Sequence, residues 1–218
     1  MIAVITAMQN EAHALLRHAE TDREYTLYGK KICEGCAFGK RFALIAAGIG
    51  KSNAAAAAML ALSGLNAKTL LNFGLAGGIS QQADIAEVFR IVRAVQYDFD
   101  LSEVNGTPKG TLDEYDTPYL PLKDGQSAFK KATLATGDKL TASLADLPLL
   151  NALGADLRDM EGAAIAHVAF AAGAPLYAYK AVSNKIGADS VAQYREFTRR
   201  ALEALSDGME KIFAEIEP

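Results

Sequence analysis

The chain is poor in the residue types that most often announce a reactive site. Its 218 residues hold two cysteines, three histidines and no tryptophan. The cysteines, Cys33 and Cys36, have C-x-x-C spacing. A redox pair of that kind needs the start of a helix beside a thioredoxin-like strand, whereas Lys31–Gly39 reads as strand and turn. A zinc site needs two further ligands at matching spacing. The sequence has no second C-x-x-C and no H-x₃-H, so the pair is expected to be structural and no metal is expected. His13 and His18 fall in a surface helix and His167 lies mid-helix among apolar residues, which leaves a Ser-His-Asp arrangement little to build on. Long apolar runs are missing too. The longest, near Ala54–Leu62, falls short of the ~20 residues that span a bilayer. The N-terminal Met1–Thr6 has neither the basic start nor the long apolar stretch of a signal peptide. A cytosolic protein without a membrane partner is expected. Basic clusters are also absent: 22 Lys and Arg stand against 26 Asp and Glu, a net charge of -4, so a nucleic-acid partner is not expected.

What is present is ordinary globular material, half hydrophobic and 22% charged. A chain of this length buries roughly 70% of its unfolded surface and needs no staple. Continuous apolar runs at Ile2–Thr6 and Thr69–Phe73 predict strands buried on both faces. Asn10–His18 carries Ala12, Leu15 and Leu16 on one helical face. Glu24–Leu27, Lys31–Ala37 and Arg41–Ala46 read as a meander. Ser52–Leu62 is an Ala-rich helix entered through Gly48–Lys51 and stopped near Gly64. Strands follow at Val88–Val95, Lys131–Thr136, Ala155–Arg158 and Pro175–Ser183. Helices follow at Glu161–Ala172 and Ser190–Ile216, the last with Ser190 as its expected N-cap. Tyr97–Gln126 is irregular, with three prolines, and reads as a long functional loop. The alternation predicts a single α/β domain over residues 1–218, with a central mixed β-sheet flanked by helices.

Ligands of open α/β sheets sit beyond the carboxyl ends of the strands. Met8 and Glu11 follow the first strand, Gly74–Gly78 the next long one, Asp138 the strand ending at Thr136. Asp159, Met160 and Glu161 follow another, and Asn184 and Asp189 the last. Acids and amides therefore converge on one rim from distant positions. Gly50-Lys51-Ser52 looks like the tail of a P-loop, but the glycine required five residues earlier is Ile45. Gly74–Gly78 lacks the full G-x-G-x-x-G spacing of a dinucleotide site. Its glycines serve either a tight turn or a close approach to ligand. Converging carboxylates with neither metal nor nucleophile suit acid/base work on a neutral substrate, glycosidic cleavage among others.

The ordered motifs resemble the nucleoside phosphorylase/nucleosidase superfamily, most of all its bacterial 5'-methylthioadenosine/S-adenosylhomocysteine nucleosidase branch. They are Ile5–Glu11, Ala47–Lys51, Asn72–Gly78, Thr136–Asp138, Asp159–Val168 and Lys180–Asn184, spread over nearly the whole chain. The resemblance implies a nucleoside phosphorylase-like fold and an N-glycosyl hydrolase acting on a purine nucleoside without a cofactor. It implies that Glu11 activates water and that Glu161 grips the ribose hydroxyls, with Met160 and Met8 against the sugar. Gly77, Ser183 and Lys180 fall in the same motifs. Leu140 takes the place of an aromatic that stacks on the purine, and the Leu140–Thr141 backbone faces the base. Tyr97 and Phe99 lie in the region that, in the family homodimer, closes over the partner's 5' group.

Departures from the branch point to the substrate. Adenine-specific members carry an aspartate at Asn184, Lys180 replaces an arginine and Leu75 a serine. An amide cannot protonate N7 as an acid does. Members acting on 6-oxopurines have asparagine there, and Ser183–Asp189 resembles the corresponding futalosine hydrolase segment. A 6-oxopurine nucleoside such as futalosine is therefore the leading substrate reading. A 5'-methylthioadenosine/S-adenosylhomocysteine nucleosidase is the alternative, followed by a phosphorylase or a non-catalytic nucleoside binder.

Overall fold

A computed structural model describes residues 1–140, 144–187 and 189–217. Ten strands form one mixed sheet with helices on both faces. The strands are β1 Ile2–Thr6, β2 Glu20–Leu27, β3 Lys30–Ala37, β4 Lys40–Ala46, β5 Thr69–Gly78, β6 Val88–Gln96, β7 Leu120–Pro121, β8 Lys130–Thr136, β9 Leu157–Asp159 and β10 Leu176–Lys185. The helices are α1 Gln9–Leu16, α2 Lys51–Met59, α3 Ser102–Asn105, α4 Leu147–Ala152, α5 Gly162–Ala171 and α6 Ser190–Glu215.

The apolar runs explain the centre. Every residue of β1 is buried, and it pairs in parallel with β4 on one side and β5 on the other. Strands covered on both faces have no polar side to alternate with. One face of the sheet packs against α2 and α5 through small side chains such as Ala54, Ala57, Ala163 and Ala166. The other packs against α1 and α6 through Leu15, Leu205, Met209, Ile212 and Phe213. Burying each large side chain of that kind is worth about 1.5–3 kcal/mol.

The sheet order runs β10-β6-β8-β9-β5-β1-β4-β3-β2, and β10 pairs a second time, with β5. Five strands thus close into a ring, and the ends of β1, β5, β8, β9 and β10 supply the site.

Several expectations need correction. Gly74–Gly78 are not a loop after the strand; β5 continues through them to Gly78, and β10 likewise carries Asn184 within the strand. The last helix begins at Ser190 with Asp189 at its N-cap position, so Ser190 is its first residue. The Ala-rich helix changes at Leu60 into a wider π turn ending at Gly64. Tyr97–Gln126 contains α3 and β7. Among the described residues, no helix is long and apolar enough to cross a membrane.

Candidate active site

One cavity, enclosing about 500 Å³ of empty space, opens at the carboxyl ends of these strands. Its wall includes Met8, Glu11, Gly77, Leu140, Met160, Glu161, Ser183 and Asn184, so eight of the twelve expected residues meet there.

Glu11 sits in the first turn of α1 and is 3% exposed. Its Oε2 accepts from the backbone N–H groups of Ala7 (2.9 Å) and Met8 (3.0 Å), and its Oε1 from Leu75 N–H (2.8 Å). The carboxylate therefore fills a cradle of backbone donors built by the ends of β1 and β5. Gly74 makes room for it: a Cβ there would stand 2.5 Å from Oε1. Burial pushes the Glu11 carboxyl above the usual carboxylate range, while Lys180 and the three backbone donors oppose the rise.

Glu161 precedes α5, and its Oε1 accepts from Gly50 N–H at 2.8 Å. Gly50 has φ +100, a backbone conformation disfavoured for residues with a Cβ, and this aims its N–H at Glu161. Burial first and the Asp159 charge second push the Glu161 carboxyl up to about 7. Asp159 is fixed by the Thr136 hydroxyl (2.6 Å), Gly162 N–H (2.8 Å) and the Lys180 ammonium (2.9 Å). Burial alone would lower the Lys180 ammonium, but Asp159, Glu161 and Glu11 hold it above the ordinary lysine value. Lys180 is 2% exposed and sits behind the cavity wall as counter-charge to these carboxylates.

Asn184 reaches the wall through an irregularity in β10. The pairing with β5 shifts register between Val182 and Asn184, and such bulges re-aim side chains beside sites. The Ser183 hydroxyl lies 3.0 Å from Asn184 Oδ1 and 3.3 Å from the Ala76 carbonyl. Asn184 Nδ2 has no hydrogen-bond acceptor among the described residues.

Thr141 lies outside the described residues. Tyr97 is buried in a cluster with Val95, Ala135, Leu150 and Leu153, away from the cavity. Its ring fills the space left by Gly137, where a Cβ would come within 2.5 Å. Phe99 is half-buried against the main core. Of the histidines, His18 bonds Ser206 and His167 bonds Tyr115.

Three wall residues escaped sequence reasoning: Ile49, Arg158 and Tyr194. Tyr194 follows Asp189 by little more than one helical turn, so the rim rule that found Asp189 reaches it. Its hydroxyl donates to Met8 Sδ at 3.7 Å. Burial, then the Glu11 charge, raises the Tyr194 phenol.

Carboxylates at the rim of a ring-closed mixed sheet, without a nucleophile in place, define an acid/base site. The chain belongs to the Phosphorylase superfamily, which it matches over residues 1–214. It is 28% identical over 218 residues to a 5'-methylthioadenosine/S-adenosylhomocysteine nucleosidase of Marinomonas sp. strain MWYL1, covering 93% of this chain and 94% of the relative. Among solved structures it resembles the futalosine hydrolase of Helicobacter pylori (TM-score 0.90, 20% identity, 99% of this chain and 97% of that one). It also resembles the H. pylori 5'-methylthioadenosine/S-adenosyl homocysteine nucleosidase (TM-score 0.90, 21% identity, 99% and 98%). The fold expected from the motifs is thus the fold found, and the resemblance to nucleosidases is borne out.

Proposed function

We propose that the chain hydrolyses the N-ribosidic bond of a purine nucleoside. The observation that carries this is Glu11, a buried carboxylate of raised proton affinity, facing the same cavity as Glu161. In the proposed reaction the C1'–N9 bond breaks and its electron pair stays on the base. The oxygen of water bonds C1', and Glu11 takes the proton. A positioned base of this kind contributes roughly 10²–10⁴-fold in rate. The sugar passes through a cationic state, and a site holding three carboxylates against one lysine suits that charge. Glu161 holds the ribose hydroxyls, and Met8 and Met160 supply apolar contact to the sugar. Hydrolysis is favoured over phosphorolysis because the Glu11 carboxylate already occupies the N–H cradle of Ala7, Met8 and Leu75, and a phosphate brought there would meet like charge.

Two readings of the base remain, each with its own support. The relatives' name supports 5'-methylthioadenosine and S-adenosylhomocysteine better. Asn184 favours a 6-oxopurine: its Nδ2 is an unused donor that suits O6, and Oδ1 retains a lone pair for N7–H. The test is incubation with inosine, futalosine, methylthioadenosine and adenosylhomocysteine, with and without phosphate, and chromatography of the released base. Hypoxanthine release from the oxopurines supports the Asn184 reading, and adenine release alone rejects it. A requirement for phosphate rejects hydrolysis.

A further inference from the structure

The hydrolytic chemistry gives Arg158 no task, yet this arginine stands in the cavity wall. It lies on β9 opposite Gly77 of β5 and is 4% exposed. Its Nη1 donates to the Leu140 carbonyl at 2.7 Å and its Nη2 to the Lys139 carbonyl. Its Nε is buried without a partner. Among the described residues Arg158 forms no ion pair; the adjacent Asp159 is taken by Lys180, Thr136 and Gly162. A guanidinium stays charged in proteins and has five N–H donors. Two neutral carbonyls leave most of those donors unused, and a buried charge without an opposing one is costly.

Its position shows what would meet it. The point above Gly77 where a Cβ would stand lies 3.3 Å from Arg158 Cγ and 3.2 Å from Asn184 Nδ2. The arginine stem and the amide are therefore neighbours on one wall, and the guanidinium reaches from there toward Leu140 at the rim. This wall is the one that the nucleosidase reading assigns to the base.

We propose that Arg158 is a specificity-determining residue whose spare N–H groups donate to a carbonyl oxygen of the leaving base, so that the pocket selects an oxo-substituted purine over adenine. The proposal rests on the nucleosidase reading of the cavity. An exocyclic amine presents a donor where the arginine offers donors, whereas a carbonyl oxygen accepts. The same cation offsets the electron pair left on the base when C1'–N9 breaks, where Asn184 has no acid proton to give. A charge-assisted hydrogen bond of this kind corresponds to roughly ten- to hundredfold in affinity.

The test is calorimetric titration of hypoxanthine and adenine into the wild type, Arg158→Met and Arg158→Lys, with thermal melts of each. The wild type is expected to prefer hypoxanthine. Arg158→Met is expected to lose about tenfold or more of hypoxanthine affinity while adenine affinity changes by less than about threefold. Arg158→Lys keeps the charge without the fork and is expected to fall between. Equal losses for both bases would make Arg158 a mere strut for Lys139 and Leu140, and unchanged hypoxanthine binding would also overturn the proposal. If Arg158→Met does not fold, the base preferences of the wild type and Arg158→Lys decide by the same criterion. A wild type that binds adenine and excludes hypoxanthine refutes the arginine's role and leaves the nucleosidase reading standing. One that binds neither base refutes both.

Discussion

Lys180→Met removes the positive charge held among three buried carboxylates. The ammonium is 2.9 Å from Asp159 Oδ2, with both side chains at most 2% exposed, and it also acts on Glu11 and Glu161. Removing one member of a buried pair costs about 3–5 kcal/mol, because the other charge is left without compensation. For a chain of this size each kcal/mol shifts the melting temperature by about 2–4 °C, so a fall of roughly 6–20 °C is expected at pH 7. The loss has a direction in pH. The folded-state affinities of Glu11 and Glu161 for protons are already raised, so each carboxylate weakens the fold as pH climbs from the unfolded value of about 4.5 through its folded one. Without Lys180 both rise further. The deficit relative to wild type should therefore be small near pH 5, where these groups take up protons, and should grow toward pH 8. Asp159→Asn in the Lys180→Met background should recover part of it. Differential scanning calorimetry from pH 5 to 8 is the assay. A deficit independent of pH, or a melting temperature within about 2 °C of wild type at pH 7, would refute the charge account.

Glu11→Gln should fold normally and lose roughly 10²–10⁴-fold in kcat; full activity in a base-release assay would reject Glu11 as the water-activating group. Gly74→Ala places a methyl group 2.5 Å from Glu11 Oε1 and should cost on the order of 10²-fold in kcat/KM by displacing the carboxylate. We also propose a homodimer, expected to bury more than about 1,000 Å²; static light scattering that finds a fully active monomer at micromolar concentration would reject it.

The buried framework was legible because strands covered on both faces leave continuous apolar runs, and β1 stands as read from Ile2 to Thr6. The glycine-rich end of β5 was misread because glycine usually ends a strand. Here its lack of a side chain lets Glu11 and Asn184 lie against the strand. The rim rule located Glu11, Glu161 and Asn184 because those residues follow or end strands. Arg158 was missed because it belongs to a three-residue strand whose pairing partners, Gly77 and Ala135, are distant in sequence. Tyr97 read as a lid residue because an aromatic in an irregular segment carries no sign of burial. Only the fold shows it behind Gly137. Helix α4 carries too short a pattern to be read.

Because β10 bonds to both β5 and β6, the sheet has no long free border at that end. An open border offers unpaired N–H and C=O groups to any other chain in an extended conformation, the usual route to aggregation. Here that hazard is concentrated on β2, and β2 is defended. Glu20, Asp22, Arg23 and Glu24 are all exposed along it, and its pairing with β3 is interrupted between Thr21 and Arg23. A foreign strand docking there would meet charge and a broken register. Colloidal stability thus falls to one strand remote from the chemistry, where changes that strip charge should provoke self-association before they disturb the cavity.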